Sequence, residues 1–260
     1  QALINEDRVA RAEGKVSDLQ QQYASASPEQ KDDLSDALDE AQYALESALE
    51  VMDEPVYAPP LMDIWFANEE QGWAAGAFGS LLHTTNSGRT WEDSSHKLDN
   101  PEELHLNGVA GDSSGTLYLS SEWGIVFRST SGGETWQAVE SGFVGSFFGV
   151  VVIPAFDSVF AYGLLGTIYR STDRGHTWQQ LESGTGSSLF GAVGAADGTL
   201  VLVGQNGTAI RTGDDGESFS ALDAGSSRDL YGVARLGEDR FVVTGEGGGT
   251  TLSGALDTER

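Results

Sequence analysis

Four segments of this chain recur at a nearly constant spacing, and that period limits the possible folds more than any other feature. They are Thr84-Thr85-Asn86-Ser87-Gly88-Arg89-Thr90-Trp91, Ser129-Thr130-Ser131-Gly132-Gly133-Glu134-Thr135-Trp136, Ser171-Thr172-Asp173-Arg174-Gly175-His176-Thr177-Trp178 and Thr212-Gly213-Asp214-Asp215-Gly216-Glu217-Ser218-Phe219. Their closing aromatics, Trp91, Trp136, Trp178 and Phe219, are 45, 42 and 41 residues apart. A glycine stands five residues ahead of each segment's first hydroxyl, at Gly79, Gly124, Gly166 and Gly207, and Gly248 with Ser253 carries the register into a fifth unit that lacks the box. A second register agrees: Leu106-Asn107-Gly108-Val109, Phe147-Phe148-Gly149-Val150, Leu189-Phe190-Gly191-Ala192 and Leu230-Tyr231-Gly232-Val233 open successive units, their glycines stepping by 41, 42 and 41. A period of this length filled with short β-rich runs predicts a β-propeller of four-stranded blades. For the third unit the expected strands are 147–153, 159–163, 167–171 and 177–181, the last one outermost. Glycine weakens a strand unless another backbone comes close, and the inner strand beside a propeller axis is such a place.

The box reads S/T-x-D-x-G-x-T-W, the Asp-box or BNR motif, and its chemistry is that of a turn. The hydroxyls of Thr84, Ser129, Ser171 and Thr212 and the carboxylates of Asp173 and Asp214 accept backbone N–H groups, and glycine takes the backbone conformation other residues resist. Asn86 can substitute for the acid; Ser131 does so more weakly, so the second turn is expected to be the least rigid. The closing aromatic is large enough to wedge between neighbouring sheets. These residues are read as structural, not as catalytic groups or calcium ligands.

Composition changes near residue 56. Of the 34 glycines only Gly14 precedes it, and all six tryptophans follow it. Residues 1–56 read as an acidic helical hairpin, an insertion or appendage to blades spanning 57–260. Val9, Ala12, Val16, Leu19 and Tyr23 form one apolar stripe, and Leu34, Leu38, Ala41, Leu45, Ala48 and Met52 a second that ends at Pro55. Ser27 is placed to cap the second helix, with Pro28 in its first turn. The two helices could pack on each other or on the blades. The formal net charge of −26 repels phosphate backbones and argues against nucleic acid as a partner. Such a surface suits a salty environment, a basic protein patch or divalent cations. No apolar run is long enough to span a bilayer, and the absence of cysteine excludes disulfides and thiolate chemistry.

Asp-boxes invite comparison with glycosidases, which need a carboxylate pair, or a Tyr with its Glu, and substrate-clamping arginines. Arg128, Arg170 and Arg211 instead occupy one equivalent position before successive boxes, with His83 at the same station of the first unit, and a residue repeated blade by blade is a fold requirement. No metal-ligand spacing, nucleophile arrangement or phosphate loop is visible. The expectation is a binding scaffold with no catalytic residue, no metal and no cofactor. Loops leading into inner strands form one face around a propeller axis, where partners dock. The residues before the inner-strand glycines, Asn107, Phe148, Phe190 and Tyr231, with Met62 equivalent in the first unit and His105 two positions upstream of Asn107, are the candidate partner-binding face. The competing reading is that these aromatics only pack between blades.

Beyond the boxes, Gly72-Trp73-Ala74-Ala75-Gly76, Leu98-Asp99-Asn100-Pro101, Leu104-His105-Leu106 and Gly145-Ser146-Phe147-Phe148-Gly149 resemble the photosystem II stability/assembly factor family and its non-photosynthetic bacterial branch. The likeness covers roughly residues 57–253 and extends to an acidic helical insertion before them. It implies an exported, non-catalytic, seven-bladed propeller that helps assemble a membrane protein complex, without itself inserting into the membrane. The photosynthetic members chaperone a new reaction-centre protein in the thylakoid lumen. The bacterial relatives look periplasmic and are often associated with RND-type transporters. The expected partner is therefore a membrane protein or envelope-complex subunit, with a glycan-binding or glycosidase-like propeller and an RND accessory subunit as alternatives. Five units fall short of seven blades, which fits a sequence that begins inside the protein or a complete five-bladed ring. The fifth unit lacks an outer strand, for which Val56-Tyr57-Ala58 is the candidate.

Overall fold

A computed structural model of the protein describes residues 2–53 and 59–254, so Pro55 and the candidate closing strand Val56-Tyr57-Ala58 lie outside the described residues. The chain divides into two compact units, Gln1–Pro59 and Pro60–Arg260. No helix of the described residues is long and apolar enough to cross a membrane.

The first unit is a pair of helices, α1 (Ala2–Ser25) and α2 (Pro28–Asp53). They pack on each other along the expected stripes: Val16 and Ala41 are buried, and Leu19, Leu34, Leu38 and Leu45 partly so. Lys31 lies over the Tyr23 ring at 5.0 Å, a partly buried cation–π contact across the hairpin. At the start of α2 the Gln30 side chain reaches back to accept the Ser27 N–H at 3.2 Å and its hydroxyl at 3.0 Å. That reach satisfies the N-cap donor as in a capping box.

The second unit is a propeller of five blades, each an antiparallel meander from the axis outward. Blade one holds β1 (Leu61–Phe66), β2 (Gly72–Gly76), β3 (Leu81–Thr84) and β4 (Glu92–Asp93). Blade two holds β5 (Leu106–Gly111), β6 (Leu117–Ser121), β7 (Ile125–Ser129) and β8 (Gln137–Glu140). Blade three holds β9 (Phe147–Ile153), β10 (Ser158–Gly163), β11 (Ile168–Ser171) and β12 (Gln179–Leu181), and blade four β13 (Leu189–Gly194), β14 (Leu200–Gly204), β15 (Ala209–Thr212) and β16 (Ser220–Ala221). Among the described residues blade five has three strands, β17 (Leu230–Arg235), β18 (Arg240–Gly245) and β19 (Gly248–Ser253). The outer strand β12 starts at Gln179 and not at the expected Thr177, because the Thr177 N–H is committed to the Asp173 carboxylate at 2.9 Å.

The second strands of the first four blades, β2, β6, β10 and β14, are buried on both faces, and the apolar core lies between blades. Trp73 meets Trp136, Tyr118 meets Phe147, Phe160 meets Leu189, and Val203 meets Leu230 in four successive clusters. Among the described residues these clusters join blades one to two through four to five, and none joins five to one. The inner-strand glycines are required by proximity: a Cβ on Gly108 would stand 2.9 Å from the Gly149 Cα of the next blade, and one on Gly191 2.7 Å from the Tyr231 carbonyl.

The boxes are turns that also latch neighbouring blades. In the third, the Ser171 hydroxyl accepts the Gly175 N–H at 2.7 Å and donates to Asp173, whose carboxylate accepts the N–H and hydroxyl of Thr177 at 2.9 and 2.6 Å. Thr212, Asp214, Gly216 and Ser218 repeat that pattern. Hydrogen bonds from the Ser218 and Thr212 hydroxyls hold the Asp214 carboxyl down at about 2. In the first box Thr84 and Asn86 make the equivalent bonds, and in the second Ser129 and Ser131 do so with one hydroxyl oxygen where the carboxylate has two. Trp136, Trp178 and Phe219 pack into the cluster shared with the preceding blade, while Trp91 meets Phe66 edge-on within its own blade.

The partners of the arginines before the second, third and fourth boxes explain why that residue recurs. Arg128 donates to the Arg174 carbonyl in the next blade's box, Arg170 to the Asp215 carbonyl, and Arg211 to the Gly254 carbonyl where a fifth box would be. Each lies across the strand pair from a core residue: Tyr118, Phe160 and Val201. His83 holds this station in blade one, opposite Trp73 on which it stacks at 4.7 Å. Among the described residues it makes no such bond, and its Nε2 is buried with no hydrogen-bond partner. His83→Arg should therefore add the missing latch to the Gly132 carbonyl of the second box. The expected gain is about 1 kcal/mol, or roughly 2–4 °C in Tm, read by thermal unfolding; a variant no more stable than the parent would show that blade two does not offer the acceptor.

Candidate functional site

Each candidate residue on the inner strands is the extra residue of a β-bulge. The β1–β2 register passes from Leu61 to Asp63 and skips Met62; β5–β6 skips Asn107, β9–β10 Phe148, β13–β14 Phe190 and β17–β18 Tyr231. A bulge leaves one residue out of the ladder and re-aims its side chain, and such devices concentrate beside functional sites. Here the same re-aiming recurs in all five blades.

What the bulge residues touch is the next blade. The Asn107 amide donates to the Phe147 carbonyl at 2.8 Å. Phe148 and Phe190 tilt against each other at 5.8 Å, and Phe190 and Tyr231 at 5.7 Å. Phe148 and Phe190 remain half-buried, while Met62 and Tyr231 are 48% and 53% exposed. Packing between blades and presentation to solvent are therefore both present in one aromatic row. His105 is half-buried; its backbone N–H donates to the Glu122 carboxylate at 3.0 Å, and its ring sits 5.0 Å from Phe78.

Phe78 belongs to a second ring of residues, one at each turn between the second and third strands of the first four blades. In each of the first four blades a two-residue turn joins the second and third strands, closed by N–H to carbonyl bonds from Ser80 to Ala77, Ile125 to Glu122, Thr167 to Leu164 and Thr208 to Gln205. Both central residues have positive φ: 54° and 68° at Phe78-Gly79, 56° and 68° at Trp123-Gly124, 55° and 71° at Leu165-Gly166, 56° and 70° at Asn206-Gly207. Such a primed turn favours Asn-Gly, which only blade four supplies. The turns meet the segments leading into the inner strands: the Leu165 N–H donates to the Ser188 hydroxyl at 3.2 Å and the Asn206 N–H to Asp229 at 2.8 Å. Turns and bulges therefore share one side of the propeller. Phe78, Trp123, Leu165 and Asn206 each precede a register glycine, but only Asn206 forms the Asn-Gly pair that announces such a turn.

Elsewhere, a cavity of about 310 Å³ lies between the later parts of the first three inner strands, lined by Asp63, Trp65, Val109, Asp112, Val151 and Asp157. Burial raises the Asp63 carboxyl, although the Val109 and Ile64 N–H groups donate to it. None of the candidate partner-binding residues lines this cavity. Among the described residues no group of three or more His, Asp or Glu side chains is placed to hold a metal ion.

Residues 42–259 match the protein family described as Photosynthesis system II assembly factor YCF48. One curated relative, the Photosystem II assembly lipoprotein Ycf48 of Synechococcus sp. (strain CC9902), is 36% identical over 78 residues, covering 30% of this chain and 22% of that protein. The match thus spans less than a quarter of that relative. Two solved structures share the fold: YCF48 from Cyanidioschyzon merolae (TM-score 0.58, 20% identity) and YCF48 bound to D1 peptide (TM-score 0.56, 18% identity). Each alignment covers 75% of this chain and 67% of the other.

Proposed function

The chain belongs to the photosynthesis system II assembly factor YCF48 family, and from that membership we propose that it is a non-catalytic, extracytoplasmic scaffold that binds a membrane protein during assembly of its complex. The observation that carries this reading is the bulge repeated at Met62, Asn107, Phe148, Phe190 and Tyr231. It leaves a row of half-exposed side chains on rigid strands around one axis, an arrangement suited to recognition. Exposed aromatics carry much of the binding energy at protein interfaces. The relative whose structure is described as bound to D1 peptide takes a peptide ligand, and a polypeptide of a membrane complex is the partner proposed here. The box acids support a non-catalytic role, because Asp173 and Asp214 are each tied to a backbone N–H and hydroxyls of their own turn.

The test is affinity capture from solubilised membranes of the source organism, with cross-linking, by the parent chain and by Phe148→Ala/Tyr231→Ala. An integral membrane subunit should be recovered by the parent and reduced at least tenfold with the variant, since two aromatic contacts are worth about 2 kcal/mol or more. Equal recovery by the two proteins would sink this face as the site.

A further inference from the structure

We propose that the turn tips Phe78, Trp123 and Leu165 form, with the bulge residues behind them, a docking surface for an extended polypeptide segment carrying bulky apolar side chains and positive charge. This rests on the protein-binding reading above and assigns the partner's chemistry.

The first observation is exposure. Phe78 is 52%, Trp123 59% and Leu165 68% exposed, and Val144, in the segment leading into β9, is 93% exposed. The second is backbone cost. Phe78, Trp123 and Leu165 each occupy the left-handed region at φ 54–56°, where a bulky L-residue is disfavoured and asparagine is tolerated. Asn206 at the matching tip shows that the fold accepts the unstrained residue. Three strained apolar tips held outward on one side of a rigid scaffold sacrifice stability without gaining core, the pattern expected where a local rule is broken for binding.

Charge selects the occupant. The turns and lead-in segments of this side carry eight carboxylates, Glu102, Glu122, Glu182 and Asp229 among them, against two basic side chains, Arg228 and a Lys97 already paired with Glu134. Apolar tips set among carboxylates match a segment that alternates apolar and basic side chains. The same carboxylates repel anionic lipid headgroups, so a membrane surface fits poorly.

The probe is a fluorescent twelve-residue peptide alternating Leu or Phe with Lys, its Glu-for-Lys counterpart, and vesicles of phosphatidylcholine with one-fifth phosphatidylglycerol. The test variant is Phe78→Asn/Trp123→Asn/Leu165→Asn on the full chain. The Lys peptide should bind the parent, the Glu peptide and vesicles should not, and the triple variant should bind at least tenfold more weakly. Its Tm should hold or rise, by roughly 2–4 °C for each tip relieved of strain. Four results would each overturn the proposal: no binding of the Lys peptide, equal binding of the Glu peptide, vesicle binding in its place, or unchanged affinity in the triple variant. Membrane capture that survives the three Asn substitutions but is lost with Phe148→Ala/Tyr231→Ala would reject this surface and leave the proposed function standing.

Discussion

Gly207→Ala is expected to lower stability by about 3 kcal/mol, combining the cost of a left-handed L-residue with a backbone clash. Gly207 has φ +70°, and a Cβ there would stand 1.8 Å from the Ser226 carbonyl oxygen. That oxygen belongs to the segment leading into β17, so relief requires the turn and the lead-in to part. The same geometry recurs at Gly166 against Thr185 at 2.1 Å and Gly124 against Phe143 at 2.2 Å. The glycine five residues ahead of each box is thus the point where the β2–β3 type of turn rests on its neighbour. Thermal unfolding should show Tm falling by roughly 6–12 °C. Gly213→Ala is the control: it has no atom within 4 Å of the added Cβ and no positive φ, so it should stay within about 0.5 kcal/mol of the parent. If the two variants melt alike, the Ser226 contact is not what demands glycine at this station.

Much of this architecture could be read before the coordinates, because repetition averages out local ambiguity. The steps between Trp91, Trp136, Trp178 and Phe219 set the blade length, and the Gly108-to-Gly232 register located the inner strands at β5, β9, β13 and β17. The helical hairpin followed from a change of period near residue 56. Three things were out of reach. The bulges at Phe148 and Tyr231 arise from two strands meeting out of register, which no single strand's sequence encodes. Arg128, Arg170 and Arg211 were legible as a fold requirement, but their acceptors, backbone carbonyls 43 to 46 residues later, carry no side-chain signature. The exposed tips look like ordinary apolar residues until the turn shows positive φ at Phe78, Trp123 and Leu165. At the aromatic station packing and presentation coexist: Phe190 tilts against both Phe148 and Tyr231 and is still partly exposed.

Arg170→Met should cost about 3 kcal/mol, the low end for breaking a buried ion pair from one side. The Arg170 side chain is 12% exposed and that of Asp215 18%. Its guanidinium donates to the Asp215 carbonyl, pairs with the Asp215 carboxylate at 3.2 Å and reaches Glu217 at 3.0 Å. Methionine keeps the stem lying beside Phe160 but leaves a half-buried carboxylate with the Ser158 hydroxyl as its remaining side-chain donor. Arg170→Lys should recover part of the loss, because an ammonium supplies the charge on a shorter side chain, whereas all three contacts are made by Nη1 at the far end of the guanidinium. A double-mutant cycle with Asp215→Asn separates the latch from general loss of packing: coupling of at least about 1 kcal/mol is expected, and additivity within about 0.5 kcal/mol would reject the latch. The consequence extends to recognition. Arg170 joins blade three to blade four, and the Phe148–Phe190 contact at 5.8 Å spans the same junction on the proposed binding side. Loosening the latch should therefore weaken partner capture more than an equally destabilising change inside one blade, since only the former alters the spacing of the aromatic row.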